Sequence, residues 1–440
     1  MKLSGWGKYP VIKATVHRPT RLEEIAAIVK KGQTIARGNG RAYGDSAINP
    51  HSTIDMTACN RLLAFNPTSG QLVAEAGVSL ADIIAIFVPR GWFPPVVPGT
   101  KFVTLGGMVA ADVHGKNHHK DGSFGRYVDW LDIVEADGKT VRCSRRKNAK
   151  LFDYTIGGMG LTGVITRVAL RLVPITSSSI KKQTITANNI NQILSLFEKH
   201  HESHYSVAWI DCLATGRALG RSVLFLGEHA GPDELPAERR RTSLNMPPKN
   251  KLQIPFDLPS WTLNRLTVGL FNSLYFRRAC KQPPESIVDL DSFFFPLDNI
   301  LGWNKIYGRR GFLQFQCVLP TKSCETALNT LLSLISGSGV TPFLAVLKKL
   351  GPQEGGISFP MDGYTLALDF PVTDRAMRLQ RALEQQTLEH NGRFYLAKDA
   401  VIPADVFAQS DGRIKTFEEF RSDRGSDKRF ASSQSKRLGL

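Results

Sequence analysis

The sequence predicts an α+β protein built from two domains. The chain has 440 residues, more than a single hydrophobic core ordinarily serves. Up to about residue 174, helix-like and strand-like stretches alternate, but not in the repeating order that gives a doubly wound parallel sheet. Beyond residue 293, strand-like segments separated by helix-like stretches favour an antiparallel sheet covered by helices. We therefore predict domains at 1–174 and 175–399, and a helical segment at 400–440 that packs back on the first domain.

The elements of the first domain follow from hydrophobic periodicity and turn residues. Residues 21–31 (RLEEIAAIVKK) have the spacing of an amphipathic helix, and residues 33–36 (QTIA) predict a strand that leads into a glycine-rich loop. Two hairpins are predicted, with turns at residues 67–70 and at Asp137-Gly138. Residues 78–88 are helix-like and end at a Pro-Arg-Gly break, and GGMGLTGV leads into the strand VITRVALRLVP.

The second domain begins with a predicted helix at 188–201 and two strands, YSVAWIDC and RSVLFLGEHA. Residues 234–251 are charged and contain prolines, which is typical of a mobile loop. Residues 252–278 mix aromatic side chains with Arg and Lys, and favour either a helix on a membrane surface or a cover for the domain's core. The later strand-like segments are GFLQFQCVLP, TPFLAVLKKLGP, GYTLALDFPV and GRFYLAKD, with helices at 324–335 and 374–390.

Composition narrows the classes of function. The net charge of +17 indicates an anionic partner, such as nucleic acid, anionic lipid or a phosphorylated substrate. No apolar run is long enough to span a bilayer and no signal-peptide pattern is present, so a cytosolic protein is expected. The six cysteines form no C-x-x-C pair and no histidine stands at zinc-finger spacing, so no metal site is expected.

Two glycine-rich stretches carry the functional signal. In ARGNGRAYGDSA, Gly38, Gly40 and Gly44 allow a tight turn with converging N–H groups that can cradle a diphosphate, with Arg37 and Arg41 beside it. In VVPGTKFVTLGGMVAADVHGKNHHKDGSFG, the apolar half at 103–113 suits a cofactor ring and the polar half at 114–120 suits a reacting substrate. The alternative is a plain glycine turn followed by a buried helix and a solvated loop. A nucleic-acid-binding protein would give neither stretch a role.

Together with GGMGLTGVI, these stretches resemble the FAD-binding (PCMH-type) domain of the vanillyl-alcohol-oxidase flavoprotein superfamily. Within that superfamily the chain is most similar to the oxidases of decaprenylphosphoryl-ribose. The similarity extends in order through YSVAWID, FFPLDNILGWNKIYG, GFLQFQ, FLAVLKKLGP, LDFPV and YLAKD. The resemblance covers nearly the whole chain, and HGKNHH with YLAKD is more specific than any glycine loop.

The resemblance implies FAD as cofactor and a set of residues around it. Relatives that bind flavin covalently have a histidine at the position of Arg41, so non-covalent binding is expected here. The implied cofactor residues are Arg37, Gly38, Asn39, Gly40, Arg41, Ala42, Tyr43, Pro98, Gly99, Thr100, Thr104, Gly106, Gly107, Ala110, His114, Gly115, Gly163, Ile165 and Tyr395.

The chemistry can be argued from the residues as well. Oxidising a secondary alcohol needs a hydride acceptor, which no side chain supplies, so a flavin must carry it. Lys398 is the main catalytic candidate, because a desolvated lysine either stabilises developing negative charge or accepts the hydroxyl proton; its alternative role is a salt bridge with Asp399. Tyr43 and His114 are hydrogen-bonding candidates near the flavin.

A lipid-linked sugar phosphate requires cations at the phosphate and amides at the hydroxyls. Lys348 suits the first role, whereas Lys349 should point the opposite way on the same strand. The relatives have a cysteine at Ala367 and a tyrosine at Phe294, so the exact sugar contact is open. The expected substrate residues are Lys116, Trp209, Phe294, Gln314, Gln316, Lys348, Thr365, Ala367 and Lys398.

The implied function is FAD-dependent oxidation of the C2 hydroxyl of a polyprenyl-phosphoryl-β-D-ribose, the first half of an epimerisation to the arabinose form used in cell-envelope polysaccharides. A separate NAD(P)H-dependent short-chain reductase would complete it, and attachment to the inner face of the cytoplasmic membrane is expected. One alternative is an oxidase of a soluble sugar, alditol or aldonolactone. The others are a nucleic-acid-binding protein and a flavin-bound membrane scaffold without turnover.

Overall fold

The computed structural model describes residues 1–246, 252–353 and 355–440. Its strands are β1 (Lys2–Leu3), β2 (Ile12–Lys13), β3 (Val16–His17), β4 (Ile35–Arg37), β5 (Thr53–Asp55), β6 (Leu62–Asn66), β7 (Gln71–Glu75), β8 (Trp92–Phe93), β9 (Val128–Val134), β10 (Thr140–Ser144), β11 (Val164–Arg171), β12 (Val173–Pro174), β13 (Ser179–Ala187), β14 (Tyr205–Ile210), β15 (Ser222–His229), β16 (Leu252–Gln253), β17 (Glu285–Asp289), β18 (Ile300–Leu301), β19 (Phe312–Pro320), β20 (Ala345–Leu350), β21 (Gly363–Pro371) and β22 (Arg393–Phe394). Its α-helices are α1 (Leu22–Lys31), α2 (Leu80–Phe87), α3 (Leu105–Ala110), α4 (His118–Asp121), α5 (Ala149–Thr155), α6 (Ile190–Lys199), α7 (Ala237–Arg240), α8 (Arg265–Lys281), α9 (Leu290–Phe294), α10 (Cys324–Gly337), α11 (Asp374–Glu389), α12 (Ala404–Ser410), α13 (Ile414–Asp423) and α14 (Ser433–Leu438).

The N-terminal half contains two sheets that hold the glycine-rich loop in place. A small parallel sheet has the order β3-β5-β4, and a larger antiparallel one has the order β10-β9-β11-β7-β6. Helix α1 buries Ile25 and Val29 in a cluster with Ile54 and Val164, which joins the two sheets. Strand β4 ends at Arg37, so the glycine-rich loop leaves from a fixed strand end. The two hairpins and both helices predicted for this region are present.

The second half is built on an antiparallel sheet. Among the described residues its strand order is β17-β13-β15-β14-β20-β21-β19-β22. Helices α6, α10 and α11 cover one face, where Phe197, Leu331 and Leu383 pack against Phe315 and Leu366 of the strands. The predicted sheet with helices on one face is therefore confirmed, and the chain has the predicted α+β fold.

The other face of this sheet carries polar side chains in register. Gln316 of β19 lies opposite Ala367 of β21, which lies opposite Val346 of β20. Paired residues of an antiparallel sheet project from the same face. The same registers place Gln314 beside Asp369, and Lys348 beside Thr365, on the face away from the helices.

Several predicted elements differ from the structure. GRFYLAKD forms only the two-residue strand β22, because the chain turns where Lys398 N donates to Tyr395 O at 2.9 Å. Strands β13 and β17 were not predicted, although they complete the edge of the sheet. Within 234–251, residues 237–240 form α7, and Pro247 to Lys251 lie outside the described residues, so the predicted loop there stays a prediction. No helix in the described ranges is both long and apolar enough to cross a membrane.

The C-terminal segment contacts both halves of the chain. Helix α12 packs against α11 and β22, whereas Thr34 N donates to Arg429 O at 2.8 Å and Ser433 N donates to Ile48 O at 2.7 Å. The predicted domain limits at 174 and 399 stay a prediction, since the chain packs continuously across them.

Candidate active site

A large cavity lies between the polar face of the eight-stranded sheet and the glycine-rich stretches of the N-terminal half. Its volume is about 360 Å³, within the range of small-molecule sites. The walls are the loop at 36–43, the segment 98–107 that leads into α3, strands β19 to β21, and residues 297–303. Both glycine-rich stretches and the YLAKD segment therefore meet at one place, although they are far apart in sequence.

The glycine-rich loop lies flat against the start of α3. A Cβ atom at Gly38 would overlap the hydroxyl of Thr104, which caps α3 by accepting from Gly107 N at 3.4 Å. Gly40 has φ of +62°, a conformation that side chains other than glycine rarely adopt. At the start of the loop, the Arg37 guanidinium donates to Ser4 O at 2.7 Å. Glycine is therefore required at position 38 because a Cβ would overlap Thr104, and at position 40 because φ is positive.

Arg41 projects from the same loop between two aromatic rings. Its guanidinium carbon is 4.2 Å from the centroid of Trp6 and 5.2 Å from that of Phe102. Burial lowers its pKa, and the nearby carboxylate of Asp298 opposes that shift. The Nε atom of Arg41 is buried and has no hydrogen-bond partner in the described chain. A loop cation with an unpartnered donor suits an anionic ligand.

Asp298 fixes the outer wall of the cavity to the segment before α3. Its Oδ2 accepts from Lys101 N at 2.8 Å, and the Lys101 ammonium binds Asp291 at 2.6 Å. Burial raises the pKa of Asp298, whereas the hydrogen bonds from Lys101 and Thr100 and the charge of Arg41 lower it. The residues at 297–303 are thereby held over the cavity.

His114 is the first residue of the polar half of the second glycine-rich stretch, and it is neutral. Burial lowers its pKa well below the ordinary value, and the charge of Lys348 adds to this effect. The Gln316 amide nitrogen is 3.1 Å from Nε2 and also donates to Thr365 Oγ1 at 3.0 Å. Since an amide nitrogen only donates, Nε2 accepts and the ring proton lies on Nδ1.

Lys398 lies in the cavity wall over the ring of Tyr43. Its Nζ atom is 3.9 Å from the Tyr43 ring centroid. Burial lowers the pKa of Lys398, and the carboxylate of Asp369 opposes that shift. Burial also raises the pKa of Tyr43 well above its ordinary value, so the phenol stays protonated at neutral pH.

Lys348 supplies a second cation to the wall. Burial and the charge of Lys398 lower its pKa to about 7. No carboxylate of the described residues forms an ion pair with Lys348 or with Lys398, whereas the neighbouring Lys349 binds Glu198 at 2.5 Å on the other face. Two cations that form no ion pair with a described residue indicate an anionic ligand.

Most residues predicted from the sequence lie in this wall. The structure brings together Arg37, Gly38, Asn39, Gly40, Arg41, Ala42, Tyr43, Pro98, Gly99, Thr100, Thr104, Gly106, Gly107, Ala110, His114, Gly163, Ile165, Gln314, Gln316, Lys348, Ala367, Tyr395 and Lys398.

Five predicted residues, namely Gly115, Lys116, Trp209, Phe294 and Thr365, do not belong to the wall formed by the described chain. Gly115 is closely packed, since a Cβ there would lie 2.5 Å from Asn117 Oδ1 and 3.2 Å from Val97 O. Thr365 stands behind Gln316, where its hydroxyl donates to Cys317 O at 2.8 Å. Both residues therefore stand behind the wall in this structure, and their contact with a ligand stays a prediction.

The other three are covered by aromatic neighbours. Lys116 donates its Nζ proton to Phe293 O and lies 4.3 Å from the Phe293 ring centroid. Phe294 is only 1% exposed and packs 4.8 Å from Tyr205 in the hydrophobic core. Trp209 is on the polar face, opposite Val346, but the tilted ring of Tyr275 of α8 packs 4.8 Å from it and covers it.

Sequence reasoning missed several side chains in the wall, among them three that are large or charged. Trp6, Asp298 and Trp303 all line the cavity. The segment FFPLDNILGWNKIYG carries part of the family resemblance, and its aromatic residues are the sequence signal that could have indicated a place in the cavity wall. Its contact with Lys101, about two hundred positions earlier in the chain, could not be inferred from periodicity.

Comparison with known proteins decides the family. Residues 14–144 match a family described as FAD binding domain. A decaprenylphosphoryl-beta-D-ribose oxidase of Mycolicibacterium smegmatis is 32% identical over 100% of this chain and 97% of its own length. The chain belongs to the family of that oxidase. It is an FAD-dependent oxidoreductase of the vanillyl-alcohol-oxidase superfamily that acts on a hydroxyl donor.

Two further relatives show how far the likeness extends. An uncharacterized protein encoded in the mprA 5' region of Streptomyces coelicolor is 31% identical over 82% of this chain and 100% of its own length. The L-gulonolactone oxidase of Bos taurus is 25% identical over 46% of this chain and 46% of its own length.

The residues in the wall fit the FAD cofactor. Gly38 leaves no Cβ on the loop beside α3, and the unpartnered Nε of Arg41 is available to an anionic group. The apolar side chains of Val103, Ala110 and Ile165 line the cavity, as a flat ring requires.

Replacing Gly38 by alanine should weaken FAD binding. The added methyl group overlaps the Thr104 hydroxyl, and overpacking costs about 1–3 kcal/mol, or roughly tenfold or more in affinity. Titration of apoprotein with FAD, followed by flavin fluorescence, measures the effect. Gly412→Ala is the matched control, because nothing lies within 4 Å of its added Cβ. Equal FAD affinity of the two variants would contradict the interpretation of the loop.

Proposed function

We propose that this oxidoreductase oxidises the C2 hydroxyl of a polyprenyl-phosphoryl-β-D-ribose to the 2-keto sugar. The observation that carries the proposal is that Lys348 and Lys398, neither of which forms an ion pair with a described residue, lie in a wall that also holds Gln314 and Gln316. Cations suit a phosphate and amides suit sugar hydroxyls. The decaprenylphosphoryl-ribose oxidase of M. smegmatis, which aligns along the whole chain, supports the same substrate class.

FAD binds without a covalent bond in this proposal. Arg41 occupies the position at which covalent relatives have histidine, and guanidinium does not form that bond. The loop at 37–43 would hold the diphosphate through backbone N–H groups and Arg41. Pro98 to Thr100, Thr104, Gly106, Gly107, Ala110 and His114 would line the ring, with Tyr395 beside His114 at 5.1 Å, and Gly163 and Ile165 would contact the adenosine side.

FAD supplies the hydride acceptor for the C2–H bond. The protein's task is to orient the sugar, exclude water and control the hydroxyl proton. Tyr43 positions the Lys398 ammonium or amine through its ring face at 3.9 Å. His114 stays neutral beside Gln316, so it orients that amide without adding a charge that would repel Lys348.

Two roles of Lys398 have opposite pH dependences. As a general base, its free amine accepts the proton of the C2 hydroxyl, so the reduction rate rises with pH. As an electrostatic stabiliser, its ammonium offsets the developing negative charge, so the rate falls as pH rises. The low pKa that burial produces makes either form available near neutral pH.

Lys398→Met should slow flavin reduction by about 100-fold or more, the usual effect of losing a positioned acid–base group. The measurement is the loss of flavin absorbance after the protein is mixed with polyprenyl-phosphoryl-ribose. Lys349→Met is the control and should react like the wild type, because Lys349 pairs with Glu198 outside the cavity.

The same assay separates the alternative substrates. Reduction by the lipid-linked ribose but not by free ribose, alditols or aldonolactones supports the proposal. Reduction by free alditols or aldonolactones alone would overturn it in favour of a soluble-substrate oxidase. Flavin that no sugar reduces would indicate a scaffold without turnover.

Binding of the phosphorylated substrate should weaken as pH rises above about 7. The pKa of Lys348 is lowered to about 7, so its ammonium is present below that pH and is lost above it. A bound phosphate raises the pKa of Lys348. The affinity therefore falls as the pH rises from about 7 to the pKa of the bound state, and is constant above it. The dependence of KM on pH measures the effect, and Lys348→Met should both raise KM and remove this limb. A limb that persists in Lys348→Met would show that another group titrates.

Peripheral attachment to the inner face of the cytoplasmic membrane is part of the proposal. Leu266, Leu270 and Leu274 form a stripe on α8 and are 84%, 63% and 57% exposed. Arg265, Arg278 and other cations of the same helix flank the stripe, a pattern suited to anionic lipid.

A further exposed apolar side chain lies beside the cavity. Exposed Leu252 of β16 pairs in register with Ile300 of β18, and Ile300 and Leu301 line the cavity. A polyprenyl chain could therefore stay in the membrane while its sugar reaches Lys398. Such continuity is what a lipid-linked substrate requires.

The triple variant Leu266→Ser, Leu270→Ser, Leu274→Ser should sediment with anionic liposomes at least tenfold less well than the wild type, because each leucine contributes about 1.5–3 kcal/mol when fully buried. Leu63→Ser with Leu334→Ser is the control, since both side chains are exposed elsewhere. Unchanged partitioning of the triple variant would show that the leucine stripe of α8 does not bind the membrane.

The proposed product is a 2-keto sugar, and returning it to an alcohol requires a reductant. We assign that step to a separate NAD(P)H-dependent short-chain reductase that delivers hydride to the opposite face of the sugar. The two reactions together invert C2 and give the arabinose form for cell-envelope polysaccharides. Purified protein should therefore accumulate ketone, and no epimer, unless such a reductase is added.

A further inference from the structure

Asp369 is a buried carboxylate directly behind the cavity wall. It lies on β21 opposite Gln314 of β19 and has no exposed surface. The Gln314 amide donates to Oδ1, and the Tyr307 hydroxyl donates to Oδ2 at 3.4 Å. Gln314 itself lines the cavity, so the carboxylate is one layer removed from any ligand.

Several other buried carboxylates of the protein have a clear counter-charge. Asp211 pairs with Arg221 at 2.7 Å, Asp399 with Arg437 at 2.8 Å, and Asp411 with Arg413 at 2.6 Å. Asp369 differs, because no cation of the described residues lies within ion-pair distance of it. An isolated carboxylate is costly to bury, and burial raises the pKa of Asp369 to about 7, so a cation farther away would stabilise its charged form.

Lys398 is a buried cation that, like Asp369, lacks an ion-pair partner among the described residues. The ammonium lies over the Tyr43 ring and forms no ion pair within the described ranges. Tyr43 and Tyr307 both pack on Phe312, at ring distances of 5.3 Å and 4.3 Å, and Gln314, which donates to Asp369, lines the same cavity as Tyr43 and Lys398. The lysine and the carboxyl group thus belong to one cluster of buried side chains.

We propose that Asp369 is the positioning residue of Lys398: its carboxylate holds the lysine as an ammonium and determines the pH at which the free amine forms. The inference deepens the proposed function and rests on it only for the identity of the substrate. It assigns Asp369 no contact with sugar or cofactor. It explains why a carboxylate without an arginine partner stands in this face of the sheet.

The titration behaviour agrees with this geometry. The Asp369 carboxylate raises the pKa of Lys398 against the effect of burial, and Lys398 lowers the pKa of Asp369 against the same effect. None of the other titratable groups around the pair supplies a negative charge to Lys398. Lys348 is a like charge for Lys398, His114 is neutral, and Tyr43 and Tyr307 stay protonated because burial and Asp369 raise the pKa of both phenols.

The test is Asp369→Asn in the FAD-loaded enzyme. Asparagine keeps the shape and the acceptor for Gln314 but removes the charge. Competitive labelling with acetic anhydride, read by mass spectrometry over a range of pH, reports the free-amine fraction of Lys398 without any substrate. We expect the labelling midpoint of Lys398 to fall by about one pH unit or more. The pH profile of flavin reduction should shift in the same direction.

Asp362→Asn is the matched control, because Asp362 lies on the surface near the start of β21, where it accepts from Thr321 at 3.2 Å. It should leave the Lys398 midpoint unchanged. An unchanged or higher midpoint in Asp369→Asn, with FAD content equal to wild type, overturns the proposal.

A second variant covers the case in which Asp369→Asn does not fold. Coupling between two groups is reciprocal, so Lys398→Met should make Asp369 easier to protonate. Infrared spectra of holoenzyme labelled with carbon-13 at aspartate carboxyls, recorded over a range of pH, should then show the protonated carboxyl band persisting to a higher pH than in the wild type. Absence of that difference overturns the proposal.

These readouts do not depend on the sugar. If polyprenyl-phosphoryl-ribose fails to reduce the flavin but the labelling midpoint moves, the substrate is wrong and the Asp369–Lys398 pair stands. If reduction occurs but the midpoint does not move, the function stands and the pair does not.

Discussion

The site depends on the register of three antiparallel strands. Pairing of β19 with β21 and of β21 with β20 puts Gln316, Ala367 and Val346 in one row, with Gln314 and Asp369 in the next. A slip of one residue would turn all of these side chains into the hydrophobic layer beneath α10 and α11. Burial of Phe315, Leu366 and Leu347 in that layer fixes the strand register, and the register in turn determines which side chains form the polar face.

The opposite wall depends on close backbone packing rather than on side-chain pairing. Gly38 meets the cap of α3 at Thr104, and Gly106 of that helix packs on Ala76. Such contacts bring backbone N–H groups and small side chains to the cavity, which leaves room for a flat ring. The cavity is therefore formed between a rigid polar sheet and a flat glycine-lined surface, with Asp298 tying the third wall to Lys101.

Charge is distributed unevenly around this space. Lys348 and Lys398 face the cavity without an ion-pair partner among the described residues, whereas Lys116 is held behind Phe293 and Lys349 is paired with Glu198 outside. Burial keeps the pKa of Lys348 and of Lys116 near 7, so their charge is sensitive to any bound anion. A phosphate that enters the cavity would stabilise the ammonium form of Lys348, which otherwise has no ion-pair partner among the described residues. That property matches a family whose M. smegmatis member is named for a phosphoryl sugar.

The sequence by itself determined the α+β class, the helix-covered sheet, the glycine loops and the opposite faces of Lys348 and Lys349, because these follow from local periodicity and from glycine's freedom of conformation. Only the tertiary structure decided that Tyr275 covers Trp209, that Phe294 belongs to the core, and that Asp298 and Asp369 approach the site. These outcomes depend on how elements distant in sequence pack against one another. A local pattern specifies which face of a strand a residue occupies, but not which neighbour lies over that face.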